Sequence, residues 1–296
     1  MRRFITALAA LLVLATGLAP ASVARAIEQT ADTLDLAHGI AGDGRIISGL
    51  AGNRSLALTF DDGPGPNTLR LLDTLDAHHV HATFFLVARQ LEHAAGRAVA
   101  QEIRRRGHAI GLHSYRHDDV TTLGAAGLIA DLDRSEAVFM DAFGERPTLY
   151  RPPYGHHDDM VDTTLASRGY TEVLWNITAG DGSARTPEGV VSAFRTALDH
   201  QEHMPRGEGG VILMHDTHRW VVDALPGILD EIDARNCAAL ANGEELWDMH
   251  DDLSAWYQPR NGARATRSAS RMEMGAETFE ARQSTVRAAA ETRCAH

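Results

Sequence analysis

Apolar segments of strand length alternate along this chain with stretches whose apolar residues recur at helical spacing, and that alternation constrains the fold more than any other feature. The strand-like segments lie near 56–60, 82–87, 109–112, 147–151, 171–175, 209–214 and 237–241. Between them, Leu69, Leu72 and Leu75 mark one face of a first helix, entered through Pro66. Thr186-Pro187-Glu188 opens another, as cap plus first-turn proline, with Val190, Phe194 and Leu198 as its stripe. Seven β/α units imply an α/β barrel, whose sites are built at the carboxyl ends of the strands. At 44% apolar residues, a chain of 296 has ample core for one or two domains.

The two ends read differently. Arg2-Arg3 precede an apolar run from Phe4 to Leu18, followed by Ala24-Arg25-Ala26, the pattern of a secretory signal cleaved after Ala26. The run is about 15 residues, shorter than the roughly 20 that span a bilayer, so a retained anchor is disfavoured. The expected product is exported, periplasmic or extracellular, with no stable membrane anchor after cleavage. The segments are then a signal over 1–26, a lead-in over 27–53, a catalytic domain over 54–257 and a flexible tail over 258–296 with room for a short helix at 276–292. Net charge is −12; without the three arginines of 1–26 it is −15, and the +3 of segment 258–296 leaves −18 on the body. That acidity excludes nucleic acid and suits a neutral glycan. The two cysteines, Cys237 and Cys294, can pair in an exported protein, but their spacing leaves connectivity open.

Three segments, Thr59-Phe60-Asp61-Asp62-Gly63-Pro64, His113-Ser114-Tyr115-Arg116-His117 and Arg151-Pro152-Pro153-Tyr154-Gly155, together hold the inventory of a metal-assisted hydrolase. On a helical turn, His113 and His117 at i and i+4 put both rings on one side, within reach of one ion; two solvated histidines are the bland alternative. The strand 56–60 runs into Asp61-Asp62. Consecutive strand side chains point to opposite faces, so both carboxylates serve one site only where the chain turns, as the Gly-Pro repeat after them allows. One carboxylate can then join the metal while its neighbour stays free to take a proton. Gly209 to Asp216 reads as a buried strand delivering His215 at its C-terminal end, with Leu213 on the same face. Asp216 and His218 read as polar residues of the following loop, as do His156-His157-Asp158-Asp159, and Trp220, Trp247 and Trp256 as packing residues.

These motifs resemble those of the polysaccharide deacetylases of carbohydrate esterase family four, the nodulation-type chitooligosaccharide deacetylase homology domain, over roughly residues 54–250. The resemblance implies a distorted, incomplete (β/α)7 barrel and hydrolytic de-N-acetylation of an N-acetylated glycan such as peptidoglycan or chitin oligomers. It makes Asp61 the catalytic base, Asp62, His113 and His117 the ligands of one divalent ion, and Arg151 the partner of Asp61. It makes the Tyr154 N–H an oxyanion donor, Leu213 a wall of the acetyl pocket and His215 the general acid. The ion implied is Zn²⁺, with Co²⁺ or Ni²⁺ as alternatives. Oligomeric state and the identity of the glycan stay open.

The fourth motif departs from the family pattern. Leu174-Trp175-Asn176-Ile177-Thr178-Ala179-Gly180-Asp181-Gly182 keeps one aspartate, Asp181, as the expected partner of His215, with Thr178 in place of the other and Gly182 where an aromatic would flank the groove. Two other readings follow: a non-catalytic glycan-binding protein of the same fold, and an amidohydrolase of a small non-sugar amide or imide.

Overall fold

The computed structural model describes residues 44–203, 209–249, 253, 257–259 and 276–295. The expected signal segment, residues 27–43 of the lead-in and Trp256 lie outside the described residues. In chain order the elements are β1 (Ile46–Ala51), β2 (Ser55–Asp61), α1 (Thr68–His78), β3 (Thr83–Leu86), α2 (Ala94–Arg105), β4 (Ala109–Leu112), α3 (Gly124–Phe143), β5 (Leu149–Tyr150) and α4 (Asp159–Ser167). Then come β6 (Thr171–Val173), β7 (Ile177–Thr178), α5 (Pro187–Glu202), β8 (Gly209–His215), α6 (Arg219–Asn242), β9 (Asp248–Met249), β10 (Tyr257–Pro259) and α7 (Ala276–Cys294).

Seven strands make a ring in the order β1-β6-β5-β4-β3-β2-β8, closed by pairing of β8 with β1. From β6 round to β8 every neighbour is parallel, the arrangement that intervening helices impose. β1 distorts the barrel, since it runs parallel to β6 at Ile46–Ile47 but antiparallel to β8 at Leu50–Ala51. The strand keeps one direction, antiparallel to β10 at both Ile47 and Ala51, and its register shifts between those residues, where Gly49 lies. There φ is +90°, and an added Cβ would stand 2.4 Å from the Trp175 backbone, so only glycine fits.

Alternation along the strands sorts side chains between two cores. On β2, Leu56, Leu58 and Phe60 join the layer between barrel and helices, where Leu72, Leu75, Val190, Phe194 and Leu198 also lie. Ala57 faces the barrel interior with Phe85, Leu149, Val173 and Val211, and Leu253, Tyr257 and Phe279 pack on the same cluster. Thr59 and Asp61 continue that inward row toward the carboxyl end. β8 repeats the pattern, with Ile212 and Met214 in the outer layer and Val211, Leu213 and His215 on the other face.

Several expectations are corrected. Residues 237–241 are not a strand; they continue α6, and their alanines favour helix over sheet. Ile46–Ala51, read as lead-in, is the strand that closes the barrel. Leu69 is exposed, and Leu71 takes its place on the buried face of α1. Trp247 is core, as expected. Thr186 does cap α5, accepting from Gly189 N at 3.1 Å.

The segment read as a flexible tail holds a docked helix over 276–294. Cys294 is disulfide-bonded to Cys237 of α6. Arg282 clamps the buried Asp248 at 2.6 and 2.8 Å, and Gln283 pairs with both backbone groups of Leu246 at 3.0 Å. No helix among the described residues is long and apolar enough to cross a membrane.

The bridge closes a span of 57 residues. Loop-closure entropy assigns such a cross-link about 4 kcal/mol, with measured values usually about 2–4 kcal/mol. Cys294→Ser is expected to lower unfolding free energy by about 2–4 kcal/mol in a urea titration. A midpoint equal to the parent's would show that α7 is held by its side-chain contacts alone.

Candidate active site

The site forms where inward-facing residues run out at the carboxyl ends of the strands. Asp61 is the last residue of β2, His113 follows β4, Arg151 follows β5, Asp181 follows β7 and His215 ends β8. Asp61 and Asp62 look into the same space because Asp62 adopts φ 72°, a left-handed turn that cancels strand alternation. Gly63 follows with no room for a side chain, an added Cβ standing 2.5 Å from the Asp216 carboxylate.

The histidines converge by a different route from the one their spacing suggested. Residues 113–117 are not helical, and Ser114 (φ 60°) and His117 (φ 67°) both take left-handed conformations. Ser114 Oγ accepts from His117 N at 2.8 Å, and the Asp131 carboxylate accepts from Tyr115 N at 3.1 Å. Burial pushes Asp131 up to about 6. The compact loop brings the two rings to 4.9 Å between centroids.

Asp62, His113 and His117 form a group whose ligand atoms all lie within 4.8 Å of one another. His117 Nε2 stands 3.1 Å and His113 Nε2 3.6 Å from Asp62 Oδ1. His113 Nδ1 is held at 2.7 Å by the Arg151 carbonyl oxygen, which leaves Nε2 as its ligand atom. Asp62 Oδ1 is buried yet takes no aligned hydrogen bond, an orphaned acceptor facing two imidazole nitrogens. One carboxylate and two imidazoles are the donor set of an open divalent site, and the residues fit such an ion. Burial alone would push Asp62 up, but its contact with His117 and the charges of His113, His117 and His215 outweigh it and hold the carboxyl below its ordinary range. Burial pushes His113 down, toward the neutral form a ligand needs, while the contact with Asp62 raises His117.

Arg151 is fully buried and aims three ways. Its NH1 donates to Asp61 Oδ1 at 2.8 Å and to Thr59 Oγ1 at 2.7 Å, and its Nε donates to the Val173 carbonyl at 3.0 Å. The guanidinium lies over the Phe85 ring at 4.1 Å, with Trp175 at 5.5 Å. Asp61 Oδ1 is thereby committed, and Oδ2 is left 3.7 Å from His113 Nε2. Tyr154 has φ 62°. The residue is 59% exposed, and its ring packs edge-on against His117 at 4.7 Å.

Across the mouth, Asp181 Oδ2 accepts from both the backbone N and the Nδ1 of His215, at 2.9 and 2.8 Å. Burial would lower the imidazole's pKa, but the bond to Asp181 and its charge, with those of Asp61 and Asp62, raise it to about 9. Leu213, half-buried, shares the face of His215. All nine residues singled out in the sequence therefore gather at one end of the barrel.

Asp216 and Trp175 were passed over. Asp216 lies in the turn after β8, as read from the sequence, but is fully buried there; it accepts from Thr68 Oγ1, and burial pushes it up to about 7. It braces the back of the Asp62 turn and the start of α1. A buried strand running straight into an acid was the available signal. Trp175 flanks Arg151 and lies against Gly155, where an added Cβ would stand 2.7 Å from its ring.

Residues 49–173 match the family model described as "Polysaccharide deacetylase". A chitin deacetylase of Arthroderma benhamiae is 32% identical over 222 residues, 73% of this chain and 57% of that protein. A chitin deacetylase of Pestalotiopsis sp is 32% identical over 217 residues, 73% of this chain and 70% of the relative. The chain thus spans little more than half of the first of these curated relatives. Among solved structures, one described as "T48 deacetylase with substrate" superposes with a TM-score of 0.56 at 31% identity, over 69% of this chain and 94% of the other.

Arg151→Met would keep the apolar stacking on Phe85 but leave Asp61 a buried charge without its cation. The expected cost is about 3–5 kcal/mol of unfolding free energy, read from denaturant titration. A loss below about 1 kcal/mol, the range of an exposed pair, would contradict a buried-pair role.

Proposed function

The chain belongs to the polysaccharide deacetylase family, and from that premise we propose that it removes acetyl groups from an N-acetylated cell-envelope or chitin-like glycan by metal-assisted hydrolysis. The observation that carries this reading is the placement of an uncommitted carboxylate oxygen, Asp61 Oδ2, beside the Asp62–His113–His117 group, with a raised-pKa histidine opposite. The family relatives named chitin deacetylase support the glycan as substrate. The ion we assign is Zn²⁺, since two imidazoles and one carboxylate suit it. Export is proposed on the basic, apolar and small-residue pattern of residues 1–26.

Asp62, His113 and His117 would hold the divalent ion, which when bound would supply Lewis-acid charge to make a water more acidic and an amide carbonyl more electrophilic. Asp61 takes the proton of the attacking water on Oδ2, because Arg151 holds Oδ1 and fixes the carboxylate plane. The Tyr154 N–H donates to the carbonyl oxygen as negative charge develops on it. His215, locked through Nδ1 by Asp181, presents Nε2 to the leaving nitrogen and gives it a proton as the C–N bond breaks. Water and amide become acetate and a free amino sugar. Leu213 bounds the space beside His215 where a methyl group fits. Asp61 and His215 then work as a base and an acid whose surroundings separate their roles.

Asp61→Asn is expected to bind metal as the parent does, by elemental analysis, while acetate release from chitin oligosaccharides falls by at least about 10²-fold, the usual contribution of a general base. His113→Ala should lose the metal itself. An active Asp61→Asn enzyme would remove Asp61 as the base.

Asp181→Asn tests the acid. Asp181 raises His215, so removing its charge lowers the imidazole's pKa from about 9. The protonated form then disappears at a lower pH, so the basic limb of the pH–rate profile moves down and kcat drops, with metal content unchanged. A profile overlaying the parent's would leave His215 without a functional partner.

A further inference from the structure

Three groups of side chains among the described residues bring metal-ligand atoms within 4.8 Å of one another. The Asp62 group is the site already described. In the second, His157 Nδ1 is already engaged by both its carboxylates, Asp162 at 2.7 Å and Glu172 at 3.2 Å. The third, Asp181, His215 and His218, is different. His218 Nδ1 is buried, takes no hydrogen bond, and stands 3.5 Å from Asp181 Oδ2, the oxygen that holds His215 Nδ1 at 2.8 Å.

We propose that Asp181, His215 and His218 form a second, weaker divalent-cation site, and that Zn²⁺ bound there switches the enzyme off. The ligand atoms are Asp181 Oδ2, His215 Nδ1 and His218 Nδ1, a carboxylate and two imidazoles as in the first site, with a fourth position open to water. The geometry is held in advance. The His218 ring stacks on Trp220 at 4.6 Å and 21°, and Trp220 Nε1 donates to the Asp181 carbonyl at 3.0 Å. The histidine side chains keep 22% and 31% of their surface exposed, so an ion arriving from solvent can reach them.

Occupancy has a defined chemical consequence. The ion takes the Nδ1 lone pair of His215, and the proton that Nδ1 shared with Asp181 leaves to solvent. The ring then keeps a single proton on Nε2 and is no longer an imidazolium able to protonate a leaving amine. Displacing that proton costs free energy at a ring raised to about 9; in the first site a carboxylate contact raises His117 as well, but His113 is set up for metal, with its Nδ1 on a carbonyl oxygen and its Nε2 facing the site. The second site therefore fills at higher zinc than the first.

The inhibitory half of this inference rests on His215 as the acid of the proposed reaction; the binding half does not. The test is equilibrium dialysis of metal-stripped full-length protein against rising free Zn²⁺, with acetate release from chitin oligosaccharides followed in parallel. The parent is expected to take up one equivalent with gain of activity, then a second with severalfold loss. His218→Ala should bind the first equivalent only and stay active at high zinc. His218→Phe, which keeps a ring on Trp220 without a nitrogen, should behave alike and guards against a folding defect, while His157→Ala should retain the second equivalent. A second equivalent that persists in both His218 variants would overturn the site, and zinc inhibition that persists after its loss would overturn the switch. If no acetate is released under any condition, dialysis still decides the site, and the proposed function fails separately.

Discussion

The Arg151 guanidinium is the contact on which the rest of the site depends. It lies in the barrel mouth between Phe85 and Trp175 and donates to Asp61, Thr59 and the Val173 carbonyl, while its own carbonyl oxygen holds His113 Nδ1. One residue thus orients a prospective base and a prospective metal ligand and ties the ends of three strands. A buried charge of this kind is costly unless fully paired, and here the pairing uses strand-end carbonyls that would otherwise need water. The barrel brings those carbonyls together; closure through β1, where Gly49 leaves room for the Trp175 backbone, is accordingly part of the site's geometry as well as of the fold.

The two flanks of the site carry opposite electrostatics. On one side, burial keeps His113 toward its neutral form among two aspartates and an arginine. On the other, Asp181 raises His215 to about 9, so the imidazole across the mouth from the carboxylate pair is favoured in its protonated form. Groups of equal sequence prominence acquire different electrostatic surroundings through their neighbours, which is how the proposed reaction separates its base from its acid. In the proposed reaction the same arrangement makes His215 the point where added metal interferes.

Much of this was legible in the chain because strand ends and site residues coincide: Leu56–Phe60 into Asp61, and Gly209–Met214 into His215, are visible as apolar runs terminated by chemistry. Local patterns also misled. The spacing of His113 and His117 suggested a helical turn, whereas positive φ at Ser114 and His117 folds a loop that reaches the same end. The alanines of 237–241 read as a strand because a short apolar run has no period of its own. What stayed out of reach was non-local. β1 is a strand only because β6 and β8 lie beside it, Cys237 and Cys294 meet only once α7 docks, and Asp216 looks like a loop acid until Thr68 and Gly63 close around it. The link between Asp181 and His215 came from family resemblance, since nothing in an altered Gly180-Asp181-Gly182 turn announces a partner 34 residues on.

The central claim is that one ion, carried by Asp62, His113 and His117, turns this barrel mouth into an N-deacetylase. Its most direct measurement is acetate released from N-acetylglucosamine oligomers by wild-type protein stripped with chelator and then given a single equivalent of Zn²⁺. The account predicts no release before metal is returned and steady release after it, with free amines appearing one for one with acetate. Zinc bound at one equivalent to a folded chain, with no acetate formed from any N-acetylated glycan, would contradict it.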